Sequence, residues 1–204
     1  MILRAIEWAI RKELKEISVQ SEWADLRRLP NKPESLAARI HAASILYPAD
    51  TLFVHRDAEK ERLDVRRAEI QAAVNSLTEN ISYIAVIPIR MSEAWLLIDE
   101  HAIRMAANNP NGAMSLGLPK LSSIESIPDP KNSLYELLIL ASDVKGNRRK
   151  KKFKVDIARY VHLVAEQISD YSPLEHLSAF KALQGELKSV LDTLRQSGNS
   201  DSKN

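Results

Sequence analysis

Thr51–Glu61 reads TLFVHRDAEKE. Leu52, Phe53 and Val54 make a short apolar run, and Pro48, Ala49 and Asp50 before it are a turn signal. A run this short, bounded in this way, predicts a buried strand of a parallel sheet. It then releases His55, Arg56, Asp57 and Glu59 in quick succession. Open α/β sheets bind ligands just outside the carboxyl ends of their strands, so these polar residues are candidates for a site. The plain alternative is a polar strand-to-helix turn in which Asp57 caps the helix that follows.

Working outward, Ala58 through Leu77 is rich in helix formers, with Leu63, Ile70, Val74 and Leu77 on one side. Tyr83–Ile89, YIAVIPI, predicts a second apolar strand with a proline near its end. Upstream, Ser35 through Leu46 predicts a helix, and Trp23–Leu29 a strand broken by Pro30 and Pro33. The chain opens on an amphipathic helix, its apolar stripe being Ile2, Ile6, Ile10, Leu14 and Ile17. Alternating strands and helices predict an α/β fold with a parallel sheet and helices around it.

Downstream, Ser92 is a plausible N-cap for a helix within Arg90–Met105. Asn108–Gly112 is a turn and Leu116–Pro130 is proline-punctuated and irregular. Ser133–Ala141 predicts a buried helix and Val155–Ile168 an amphipathic one. Ser172, Pro173 and Glu175 spell a capping box for a helix running to about Leu194. The division expected is a core over 1–144, a basic loop and C-terminal helices over 145–195, and a polar disordered tail over 196–204.

A net charge of +2 gives no global basic field, so any nucleic-acid affinity must come from a local cluster. The absence of cysteine rules out disulfides and thiolate metal sites and fits a reducing compartment. No apolar run reaches the roughly 18–20 residues of a membrane span, and the start has no leader pattern, so a cytoplasmic protein is expected. With 5 glycines there is no Gly-rich phosphate loop, and no G-x-S-x-G elbow occurs. His41, His101, His162 and His176 lack metal-ligand partners at convincing spacing, and Trp8, Trp23 and Trp95 read as core.

Two constellations remain. The acidic one is Asp57 and Glu59 after the first strand, then Glu93, Asp99 and Glu100 after the second. Neighbouring parallel strands bring their carboxyl ends together, and hard oxygen ligands gathered there suit Mg²⁺ or Mn²⁺. Such an ion activates water and stabilises the charge that develops in phosphodiester cleavage. Glu93 is equally explained as a first-turn acid facing a helix dipole. The basic one is Lys145, Arg148, Arg149, Lys150, Lys151, Lys152 and Lys154, with Phe153 among them. These cations can track a phosphate backbone, joined by Arg90, or form a solvated loop.

The strand followed by HRDAE, and the strand followed by RMSEAWLLIDEHAI, resemble bacterial proteins of the DUF4276 type, related to TOPRIM domains. AANNPNG, LPKL, DPK and GNRRKKK are similar to segments of the same group, and the resemblance covers roughly 1–153. It implies a Rossmann-like fold that holds Mg²⁺ by a glutamate after the first strand and a D-x-D pair after a later one. Asp57 matches the second aspartate of that pair, with His55 in place of the first and Glu59 able to compensate. Asp57 and Glu93 are then the metal-holding catalytic residues, with Glu59 and Asp99 as helpers. The implied function is Mg²⁺-dependent cleavage of DNA or RNA, in a phage-defence setting with an ATPase partner. The family's leading strand and its glutamate do not precede the first helix here. Its loss leaves a hydrophobic sheet edge for a partner or a second copy to cover. The competing reading is a binding or assembly subunit that keeps the fold without a complete metal site.

Overall fold

The computed structural model describes residues 1–14 and 18–201, with side chains as far as Thr193. Helix α1 (Ile2–Glu13) buries Ile2, Ala5, Ile6, Ala9 and Ile10, the stripe expected from spacing, and carries Arg11 and Lys12 where the helix dipole favours cations. Ile17, assigned to that stripe, lies outside the described residues. Trp23–Leu29 forms no strand. Asp25 accepts from the Arg27 N–H and pairs with the side chains of Arg27 and Arg28, which winds Leu26–Arg28 into a 3₁₀ turn. Local side-chain bonding of this kind competes with strand formation.

Helix α2 (Leu36–Leu46) starts where Ser35 Oγ accepts from the Ala38 N–H at 3.1 Å. Strand β1 (Leu52–His55), helix α3 (Leu63–Asn75) and strand β2 (Tyr83–Val86) then form a parallel β-α-β unit, with Leu52 opposite Tyr83 and His55 opposite Val86. Among the described residues these two strands are the whole sheet. The second strand stops before Pro88, which has no N–H to donate. Pairing still continues beyond it, from the Arg56 N–H to the Val86 carbonyl and from the Ala58 N–H to the Pro88 carbonyl.

The alternation of side chains puts the two faces of the sheet into different cores. Val54, Ala85 and Ile87 pack with Ile40, Ile70 and Val74 on the α2–α3 side. Ile84 and Val86 join the larger core with Trp95, Leu134, Leu138 and Phe180. Being buried on both faces explains why β2 reads as a continuous apolar run. Trp95 meets Phe180 edge-on at 5.3 Å between ring centroids.

The helix expected within Arg90–Met105 is two pieces. A 3₁₀ turn spans Ser92–Leu96, and α4 (Glu100–Ala106) begins afresh where Asp99 Oδ1 accepts from the Ala102 N–H. A four-residue helix, α5 (Leu121–Ile124), stands in the stretch expected to be irregular. Next come α6 (Pro130–Ala141), capped by Asp129 with proline in its first turn, α7 (Asn147–Val155) and α8 (Ile157–Gln167).

Ser172, Pro173 and Glu175 form no capping box. Ser172–His176 is a 3₁₀ turn, in which Glu175 reaches away to Lys12 and Gln184. The last helix, α9 (Ser178–Asp201), is capped from a distance: the Glu125 carboxylate accepts from the N–H groups of Ser178 and Ala179. Its backbone runs past Leu194 into the tail expected to be disordered, of which 202–204 lie outside the described residues. Side chains of α1, α8 and α9 meet in the larger core. Among the described residues no helix is long and apolar enough to cross a membrane.

Candidate nucleic-acid interface and strand-end rim

His55 and Asp57, two residues apart, leave the end of β1 on one face. Asp57 Oδ1 accepts from the Ser92 N–H at 2.8 Å and lies 3.2 Å from His55 Nε2. Asp57 therefore does not cap α3, which begins after Arg62. It caps the 3₁₀ turn that follows the other strand, satisfying a donor that the turn leaves free. Glu93 directly follows the Ser92 amide that Asp57 holds, so its backbone lies at the same end of the sheet.

Glu59 and Arg90 share the rim in an unusual backbone state. Their φ angles are 56° and 64°, in the left-handed region that costs non-glycine residues on the order of 1–2 kcal/mol each. Each stabilises the other: the Glu59 N–H donates to the Arg90 carbonyl at 2.8 Å, and Arg90 Nη1 donates to the Glu59 carbonyl at 3.5 Å. The Glu59 side chain turns to Arg66 at 3.4 Å, a buried guanidinium that also takes both oxygens of Glu69. Arg56 pairs with Glu69 as well, at 3.2 Å.

The acids expected to hold an ion also make contacts within the fold. Asp57 spends an oxygen on Ser92 and His55, Glu59 neutralises Arg66, and Asp99 caps α4. Among the described residues no group of three or more His, Asp or Glu side chains is placed to share an ion. Mg²⁺ keeps several of its waters and is commonly held by one or two carboxylates together with substrate phosphates.

The basic run is a helix. Arg and Lys have high helix propensity, and Gly146, at φ 86°, supplies the left-handed turn that starts α7. Phe153 is its one buried residue, 7% exposed, and stacks on Tyr160 of α8 with centroids 4.2 Å apart and planes 12° from parallel. The cations Lys145, Arg148, Arg149, Lys150, Lys151, Lys152 and Lys154 are all exposed. Among the described residues none of the seven forms an ion pair with a carboxylate. Such a helix is held by one aromatic anchor and presents uncompensated positive charge on its other sides. Beside it runs an open groove of about 620 Å³.

Sequence spacing missed one residue that organises the sheet. The Ala85 N–H points away from β1 and donates to Glu186 Oε2 of α9 at 2.7 Å, while the other Glu186 oxygen pairs with Arg67 at 2.9 Å. Only the tertiary fold brings together residues 101 positions apart. No protein-family model matches the chain, and no curated protein or solved structure matches it either.

Proposed function

We propose that this protein binds nucleic acid through the phosphate backbone, with α7 as the gripping element. The observation that carries this reading is a helix of exposed cations that form no ion pair among the described residues, fastened by Phe153. Unpaired Lys and Arg gain most from a polyanion, because binding releases the counterions condensed on it. The rim at the strand ends is then a structural joint between the two halves of the β-α-β unit. That arrangement is the binding-subunit reading, in which a TOPRIM-like core keeps its parallel strands and crossover helix while its strand-end acids hold backbone and arginines. The test is a quadruple alanine variant at Arg148, Arg149, Lys150 and Lys151. Its affinity for DNA or RNA is expected to fall for all sequences alike. Its salt slope should drop by about 3–4, near 0.7–0.9 for each phosphate no longer neutralised. Unchanged affinity and slope would leave α7 a solvated helix and the proposal without support.

Metal-dependent cleavage, in a defence setting beside an ATPase partner, is the second reading. Its support is the common rim of Asp57 and Glu93. Cleavage of DNA or RNA that requires Mg²⁺ or Mn²⁺ and disappears in Glu93→Gln would put it first.

A further inference from the structure

The groove beside α7 has a composition that phosphate gripping alone does not use. Lys145, just before the helix, lines it together with Lys150 and Lys154, which lie four residues apart on one helix face. Met114, Leu140 and Val144 give it an apolar lining, of which Met114 is 51% and Leu140 38% exposed. Glu136 and Asp143 add two carboxylates. One Glu136 oxygen accepts from Asn132 Nδ2 at 2.9 Å, leaving the other available.

Cations, an apolar surface and hydrogen-bond acceptors are the three things a single nucleotide needs. We propose that this groove receives an unstacked nucleotide of a single-stranded nucleic acid, an inference that rests on the backbone grip by α7. The lysines meet the phosphates, and Met114, Leu140 and Val144 lie against the face of the base. Glu136 and Asp143 accept from an exocyclic amino group, as acidic side chains do from cytosine N4. A duplex keeps its bases stacked and paired, so its base faces cannot enter such a groove, whereas a single strand splays them out. An acidic peptide would satisfy the lysines but brings no flat base face to the apolar lining.

The experiment measures fluorescence anisotropy of the full chain with short labelled strands of oligodeoxycytidine, oligothymidine, an abasic deoxyribose-phosphate polymer and a duplex, all at one salt concentration. Oligodeoxycytidine is expected to bind about tenfold more tightly than the abasic strand, the size of one base stacked on a side chain. Oligothymidine, lacking an exocyclic amino group, falls between them. Leu140→Ser, a change at an exposed position, is expected to erase the advantage while leaving abasic binding intact. Equal binding of the cytidine and abasic strands, or a duplex that binds as tightly, overturns the groove assignment and leaves the phosphate grip standing. Absence of binding by every strand at low salt removes both. Polyglutamate that binds the wild type and is lost in Leu140→Ser assigns the groove to an acidic protein segment and overturns the nucleotide reading.

Discussion

At the scale of single residues, most carboxylates among the described residues are engaged by other parts of the fold. Glu125 caps α9, Asp57 caps the turn after β2, and Glu186 meets the outer amide of that strand. Glu175 joins three elements: hydrogen bonds from Lys12 first, and then Gln184, hold its carboxyl below the ordinary value of 4.5. A depressed carboxylate contributes stability that is present above its unfolded pKa and lost as pH falls through the folded one. Thermal melts of the wild type are therefore expected to lose stability below pH 4.5 partly through this group. Glu175→Gln, which keeps the shape without the charge, should lose part of its stability at neutral pH and show a shallower acid limb. Parallel wild-type and variant curves across that range would refute the assignment. Elsewhere burial is the largest cause: it pushes the Tyr171 hydroxyl well above its ordinary value, and that hydroxyl donates to the Ala165 carbonyl.

At the scale of elements, what local pattern reveals and what it hides have distinct causes. Strand β2 is legible because burial on both faces leaves a short apolar run, and β1 because its apolar run is bounded by turn residues. Helix α1 is legible from its stripe. Helix α6 starts ahead of its apolar run, and the pair Asp129 and Pro130 is the signal that marks the place. The break between Leu96 and Glu100 is hidden because Asp99 reads as a mid-helix acid, whereas in the fold it caps Ala102. Helix α7 is hidden for the opposite reason, its charge run masking a helix with a single aromatic anchor. Phe153→Ala is accordingly expected to destabilise the protein by about 3–5 kcal/mol, the usual cost of deleting a buried phenyl ring. The same variant should lower amide protection along α7 in hydrogen exchange more than along α1. A loss spread evenly over both helices would show that Phe153 supports the whole core rather than α7.

At the scale of the whole molecule, the acidic rim shows what strand-end position leaves out. Asp57 gives one carboxylate oxygen to the Ser92 amide of the segment that follows the other strand. That contact arises from the 3₁₀ turn after β2, which residue spacing does not reveal. The partner of the sheet's far edge is likewise set by the docking of α9 across about half the length of the chain. Glu186→Ala is expected to cost about 1–3 kcal/mol in denaturant unfolding, because the Ala85 amide would be left buried without an acceptor. Glu186→Gln, which keeps an oxygen there, should recover most of that loss; no recovery would mean that the ion pair with Arg67 is the main contribution. The placement of Glu186 also closes part of the sheet's margin. A carboxylate carried by a helix stands where a further strand would have to bring a carbonyl to the Ala85 amide, so at that point the edge is already answered from within the chain.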